Sequence, residues 1–404
     1  MSAVDATAVE EQFAALTDGC DHVETAAELR ARLAEGRPLR VKLGLDPTSP
    51  DLHIGHAVVL RKLQQFVAAG HDVTLVIGRF TARIGDPSGR NALRPPLTDE
   101  QIEANMRTYA EQAGKVLDLE RVSLRYNSEW LAPMRFEEVV RLLAKTTVAR
   151  MLDRNDFAER YAAGTPISLH EFLYPVAQAV DSVVLAADVE LGGTDQLFNL
   201  LMGRHYQEQD GQAPQICMTV PLLEGLDGKI KMSKSLGNHI GLTDPPAEQF
   251  GKVMRLPDEM IARYARLAVG RSKAEADALQ RGIDGGSVAP MDAKKGVAED
   301  VVALYHGRDA ARAARENFER TVQRRELPDE MPEVAAGDAR RLIDVLVAAG
   351  FAASKREAER LIRGGGVRLD GVTADDPAAA WTATGPVVLS VGARRFVRVF
   401  PKGA

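Results

Sequence analysis

Two apolar runs, Arg40-Val-Lys-Leu-Gly-Leu45 and Asp72-Val-Thr-Leu-Val-Ile77, bracket a helical pattern from Gly55 to about Ala69. Strand, helix and strand within about 40 residues make a βαβ unit, so the expected fold is a parallel, doubly wound α/β sheet. Further strands are predicted at 121–126, 186–191 and 215–223, with helices between them. Residues 8–35 carry Ala, Leu and charge at helical spacing and predict one or two helices ahead of the first strand. That strand ends in the turn Asp46-Pro-Thr48, and His53-Ile-Gly-His56 stands where the following helix begins. Backbone amides and the positive end of the helix dipole favour phosphate at such a junction.

The histidine tetrapeptide has a counterpart about 175 residues further on, Lys231-Met-Ser-Lys-Ser235, in a loop rich in Gly, Lys and Ser (Gly225 to Asn238). His53 and His56, one helical turn apart, can donate hydrogen bonds to phosphate oxygens as charge moves onto pyrophosphate. Gly55 between them leaves room for an adenine ring. Lys231 and Lys234 can close two ammonium groups over a triphosphate and release it again. Taken singly, the first motif reads as two histidines capping a helix and the second as a solvated basic loop. Together, in this order on an α/β pattern, they predict an enzyme that activates a carboxylate by making its adenylate.

Two more clusters suit a small ligand. Tyr174, Gln178 and Asp181 fall at i, i+4 and i+7 on one helix face, so a phenol, an amide and a carboxylate can converge. A polar helix face at a domain surface is the alternative. In Gly192-Gly-Thr-Asp-Gln196, after a predicted strand, Gly193 lets backbone approach a nucleotide and Asp195 can accept ribose hydroxyls.

Charge is unevenly spread. The 404 residues carry a formal charge of −6, but from Ala339 onward 11 Lys+Arg face 6 Asp+Glu, leaving −11 for the part before it. A basic tail on an acidic body suggests that the tail meets something anionic. Its helix, Ser354-Lys-Arg-Glu-Ala-Glu-Arg-Leu-Ile-Arg-Gly-Gly-Gly366, sets Arg356, Arg360 and Arg363 on one face with Leu361 and Ile362 inward. The two cysteines, Cys20 and Cys217, have no metal-ligand spacing, so no structural metal or disulfide framework is expected. No apolar run reaches membrane-span length, and the N-terminus lacks a signal-peptide pattern; a cytoplasmic protein is expected. The expected domains are 1–244 (N-terminal helices and catalytic sheet, with a helical insertion at about 98–182), 245–330 (helical), 331–338 (linker) and 339–404 (a small α+β module).

The paired signatures resemble those of the class I aminoacyl-tRNA synthetases. Asp46-Pro-Thr-Ser-Pro-Asp-Leu-His-Ile-Gly-His56 is similar to the tyrosyl branch in particular. Ile84-Gly-Asp-Pro-Ser-Gly89, Tyr174-Pro-Val-Ala-Gln-Ala-Val-Asp181 and Leu191-Gly-Gly-Thr-Asp-Gln196 carry the resemblance further, from about Val41 to the C-terminus. It implies a Rossmann-like sheet, ATP with Mg²⁺ as substrate complex, tyrosine, tRNA(Tyr), and a homodimer joined through the insertion. Catalysis would fall to His53, His56, Lys231 and Lys234, with Thr48 at the γ-phosphate. Gly55, Gly193, Asp195 and Lys234 would hold ATP. Tyr174 and Gln178, joined by Asp86, would hold the substrate ammonium; Gln196 would also touch the amino acid, and Asp181 would accept the phenol proton. The helices of 245–330 would read the anticodon. Lys42 stands where many bacterial members place a tyrosine against the phenol, so no second phenol contact is carried onto it. Leu197-Phe198 likewise replaces a common Trp-Gly pair. The basic tail resembles the RNA-binding domain named after ribosomal small-subunit protein four, with Lys355, Arg356, Arg360 and Arg363 on RNA phosphates. A tryptophanyl-tRNA synthetase and a catalytically silent, synthetase-like RNA-binding protein are the alternatives.

Overall fold

The structure, a computed structural model, describes residues 5–88, 97–323, 331–337, 339–392 and 395–401. They divide into two compact units, one up to Tyr305 and one from His306.

The first unit is built on a six-stranded sheet. Its strands are β1 (His22–Glu24), β2 (Arg40–Leu45), β3 (Asp72–Ile77), β4 (Val122–Tyr126), β5 (Val189–Gly193) and β6 (Ile216–Val220), in the order β1-β6-β5-β2-β3-β4. β2 runs parallel to both neighbours, with Lys42 in register with Thr74 on one side and Glu190 on the other. The chain winds outward from β2 through β3 to β4, then returns to lay β5 against the opposite edge of β2. That reversal opens a crevice at the carboxyl ends of β2 and β5, where doubly wound sheets bind ligands.

The expected doubly wound fold is therefore present, and β2 and β3 have the predicted bounds. One feature departs from expectation. β1 pairs antiparallel with β6, His22 opposite Thr219, inside a stretch that reads as helical. A three-residue, half-buried strand offers too few positions for a period-2 signal. The strand predicted at 121–126 is present as β4, parallel to β3, within a stretch 98–182 that is otherwise mostly helical.

Around the sheet, helix α1 (Ala6–Thr17) and helix α2 (Ala26–Ala34) precede β2. Helix α3 (Ile54–Ala68) buries Ile54, Leu60, Leu63 and Phe66 on the sheet side, the i, i+3, i+4 pattern of a core-facing stripe. It stops at Gly70, whose φ of 84° is left-handed, while the His71 amide donates to the Phe66 carbonyl at 3.1 Å. After the lysine loop come helices Pro246–Val253, Lys273–Asp284 and Pro290–His306.

The second unit begins with helix Arg308–Phe318. Helices Leu342–Ala348 and Lys355–Arg363 pack on a sheet of β7 (Glu333–Ala335), β8 (Val367–Leu369), β9 (Val372–Thr373), β10 (Val387–Val391) and β11 (Arg395–Phe400). Leu346, Ala358, Ile362, Val367, Leu389 and Val399 form its core, each 0 % exposed. Part of the expected linker is ordered structure: β7 pairs parallel with β11, Val334 beside Val399. The short apolar alternation at 333–335 is masked in the sequence by flanking Pro, Asp and Glu. Gly89, Arg394, Asp338 and residues 328–330 lie outside the described residues.

Candidate active site

The crevice between β2 and β5 is a cavity of about 390 Å³. All thirteen residues assigned to catalysis, ATP and amino acid line it. One wall holds Thr48, His53, Gly55 and His56; another holds Gly193, Asp195, Lys231 and Lys234; Asp86, Tyr174, Gln178, Asp181 and Gln196 complete it. Lys355, Arg356, Arg360 and Arg363 belong to the second unit.

The histidine motif opens α3, and the segment after the lysine loop straps it in place. The Ile54 amide donates to the Ile240 carbonyl at 3.0 Å, and the Leu242 amide to the Leu52 carbonyl at 3.0 Å. The His53 and His56 rings stack with centroids 3.8 Å apart, and the His53 amide donates to His56 Nδ1 at 3.2 Å. Burial and the neighbouring rings hold the His53 pKa well below the usual imidazole value. Burial, helped by Lys231, pushes His56 down to about 4. Both rings are therefore neutral near pH 7, and each offers one N–H rather than a fixed positive charge. A Cβ on Gly55 would sit 2.9 Å from His53 Nδ1, so only glycine leaves that ring its position.

The lysine loop is held at its base rather than along its length. Asn238 Oδ1 accepts the Ser233 amide at 2.8 Å, and Asn238 Nδ2 donates to Asp227 at 3.0 Å. The Met232 amide bonds the Leu223 carbonyl at 2.9 Å, and Gly237 turns the chain at φ 66°. Both ammonium groups are engaged: Lys231 Nζ lies 2.7 Å from Asp195 Oδ2, and Lys234 Nζ pairs with Asp51. These are half-exposed pairs, of the kind that contributes little to stability and exchanges readily for another anion.

At the other end of the cavity, carboxylates gather. Tyr174 donates to Asp46 Oδ2 at 3.0 Å and Thr81 to Asp46 Oδ1 at 2.7 Å. Withdrawal from water, with the nearby Asp86 charge, pushes the Asp46 carboxyl up to about 7. Asp86 accepts from the Ser88 amide at 2.8 Å and Gln196 Nε2 at 2.8 Å, and pairs with Arg154 at 3.3 Å. Asp181, 4 % exposed, accepts from Trp130 Nε1 at 2.8 Å. Burial raises its pKa to about 6, with Lys42 and the donors opposing. Buried carboxylates with unspent acceptor capacity suit a ligand that brings an ammonium and a hydroxyl.

Several residues of the site carry no assignment from the sequence. Asp46 lies inside the quoted Asp-Pro-Thr motif, yet only the fold shows it bonded to Tyr174, 128 positions away. Gly78 follows β3, and a Cβ there would fall 1.8 Å from Asp46 Oδ1. Arg154, Trp130 and Glu190 have no local signal, because each acts across the fold. Lys42 is 2 % exposed and paired with Glu190 at 3.0 Å, so it takes no place in the cavity lining. In the second unit, the side chains of Lys355, Arg360 and Arg363 are 65 %, 80 % and 70 % exposed.

Comparison with known proteins identifies the family. The family described as tRNA synthetases class I (W and Y) matches residues 34–323, and the S4 domain matches 340–379. The chain is 50 % identical over 390 residues to the tyrosine–tRNA ligase of Thermotoga maritima, covering 96 % of this chain and 97 % of that one. It is 51 % identical over 374 residues to the tyrosine–tRNA ligase of Moorella thermoacetica, covering 92 % and 91 %. Among solved structures, tyrosyl-tRNA synthetase complexed with L-tyrosine from Archaeoglobus fulgidus superposes with a TM-score of 0.62 at 24 % identity, covering 76 % of this chain and 99 % of that one. A family match over residues 34–323, with relatives near half identity across nearly the whole length, establishes that the chain belongs to the class I tRNA synthetases of the tryptophan and tyrosine group.

Proposed function

We propose that this chain is a tyrosine–tRNA ligase, activating tyrosine with ATP and passing the tyrosyl group to tRNA(Tyr). The observation that carries the choice of amino acid is Asp181, a buried carboxylate in the cavity lining with capacity to accept a phenolic proton. The close relatives, tyrosine–tRNA ligases over nearly the full chain, support it against tryptophan.

The tyrosine carboxylate attacks the α-phosphorus of ATP and pyrophosphate leaves. A carboxylate is already ionised at neutral pH, so no general base is required. Catalysis then rests on positioning and on stabilising charge at the leaving group. The neutral imidazoles of His53 and His56 each donate one N–H. Lys231 exchanges Asp195 for phosphate oxygen, and Lys234 exchanges Asp51. The first exchange frees the Asp195 carboxylate for the ribose hydroxyls, so loop closure and ribose capture are coupled. Thr48 stands at the γ-phosphate, with Gly55 and Gly193 admitting the nucleotide. Asp86, Tyr174, Gln178 and Gln196 receive the amino acid. In the second step a hydroxyl of the terminal adenosine attacks the acyl carbon and AMP leaves.

Among the described residues no group of three His, Cys, Asp or Glu stands together as a metal cage, so this reading brings Mg²⁺ in on the triphosphate. There it supplies charge neutralisation. The helices of 245–330 read the anticodon, and Lys355, Arg356, Arg360 and Arg363 meet RNA phosphates. Helix Phe136–Leu143 leaves Phe136 83 % and Val140 50 % exposed. We assign this apolar face to a second copy of the chain, as the homodimer reading requires. No helix among the described residues is long and apolar enough to cross a membrane, and work on tRNA points to the cytoplasm.

The test is ATP–pyrophosphate exchange with tyrosine, phenylalanine and tryptophan, without tRNA. Exchange with tyrosine alone supports the assignment. Exchange with tryptophan instead overturns the role of Asp181, and exchange with none favours an RNA-binding protein without the chemistry.

A further inference from the structure

Behind the cavity wall, in the middle of a parallel sheet and flanked along each strand by Val and Leu, lies a buried ion pair. Lys42 on β2 and Glu190 on β5 are in register, 2 % and 0 % exposed, with Nζ to Oε1 at 3.0 Å. Strands buried on both faces are normally apolar, and a buried pair is often no more stable than a well-packed apolar replacement. Stability therefore does not account for it.

Its hydrogen bonds point to another role. Glu190 receives four donors. Oε1 takes Lys42 and, at 2.9 Å, Gln178 Nε2; Oε2 takes Ser182 Oγ at 3.1 Å and Gln215 Nε2. Lys42 also donates to the Gln178 carbonyl at 3.1 Å. The space for this network exists because residue 203 is glycine: a Cβ there would meet Gln215 Nε2 at 2.4 Å and Ser182 Oγ at 2.7 Å.

A carboxylate only accepts, so the Gln178 carboxamide has one allowed orientation. Its NH₂ must face Glu190, which leaves its oxygen for the cavity that Gln178 lines. We propose that Lys42 and Glu190 are positioning residues that fix the polarity of Gln178, so that the site presents an acceptor to the substrate's α-ammonium and not a donor. This rests on the tyrosine reading above. Lys42 thus serves the pocket from behind, setting a group that touches the amino end of the substrate.

The network specifies its own test, the double variant Lys42→Met, Glu190→Gln. It removes both charges together and leaves no unpaired ion in the core. The new amide at 190 keeps its oxygen toward Ser182 and Gln215, which still donate there. Its NH₂ then faces Gln178, which must turn its own oxygen inward and its NH₂ toward the substrate. Binding is measured by calorimetry for tyrosine, tyramine (ammonium without carboxylate) and 3-(4-hydroxyphenyl)propionate (carboxylate without ammonium). The expected result is a loss of roughly 10- to 100-fold for the two ammonium ligands, the effect of a charge-assisted hydrogen bond, with the propionate unchanged. In exchange assays KM for tyrosine rises while KM for ATP holds. Equal loss for all three ligands, or no loss for any, overturns the proposal. If that double variant does not fold, the equally charge-free pair Lys42→Leu, Glu190→Gln takes its place and is read in the same way. A wild-type protein that binds none of the three defeats the tyrosine reading itself, a different result from either.

Discussion

Replacing Asp181 by Asn tests the amino-acid pocket and its energetic consequence together. The Asp181 carboxyl titrates near 6 in the fold, against an ordinary value of 3.8, chiefly because of burial. A raised carboxylate pKa means that the folded state holds the proton more tightly than the unfolded chain. The stabilisation this gives is fully present below about pH 4 and is lost as pH rises through about 6. Two pH units at about 1.4 kcal/mol each make the ionised group a burden of about 3 kcal/mol near pH 7.5. Asn carries no charge and keeps an oxygen for Trp130 Nε1. The stability of Asp181→Asn relative to the parent should therefore rise between pH 5 and pH 8, by roughly 1.5 kcal/mol. Denaturant unfolding at pH 5, 6.5 and 8 measures it. In function the variant goes the other way: losing a hydrogen bond to a charged acceptor should lower kcat/KM for tyrosine roughly 10- to 100-fold. Phenylalanine exchange should rise, because no carboxylate is then stranded unpaired against its ring. A stability difference that does not change with pH, or tyrosine exchange equal to the parent's, would refute the reasoning.

Three further outcomes follow from the geometry. Lys234→Ala should slow adenylate formation by at least tenfold while tyrosine affinity holds, measured by pre-steady-state exchange and equilibrium binding; an unchanged activation rate removes the loop from catalysis. Deleting residues from Ala339 onward should spare exchange but weaken tRNA charging, with a shallower salt dependence of tRNA affinity than the parent's; full charging at normal salt would mean the basic helix is no RNA contact. Phe136→Asp should convert the protein to a monomer in sedimentation, since it puts a charge on an 83 % exposed apolar face assigned to a second copy; a dimer that survives it is joined elsewhere.

Much of the architecture was readable because it is local. β2 and β3 are unbroken apolar runs, and α3 carries its stripe at helical spacing, so period alone gives their bounds. Tyr174, Gln178 and Asp181 share a face because helical geometry requires it, and all three do line the cavity. The histidine and lysine signatures were visible as composition and order, without any knowledge of which strands pair. β1 and β7 were not, because three-residue strands take their stability from the partner and leave no period of their own.

What the amino-acid sequence determined by itself, then, is the set of chemical groups and the elements that carry them. Tertiary structure decided their charge states and their orientation. Neutral histidines, Asp181 near 6 and Asp46 near 7 follow from water excluded by residues far away in the chain. Lys42 shows the difference most clearly. In sequence it is a charged residue at a position where a phenol contact is common. In the fold, β5 lies against β2, Glu190 meets it in register, and the pair aims Gln178. Desolvation and hydrogen-bond direction depend on three-dimensional neighbours, and no spacing along a chain encodes them.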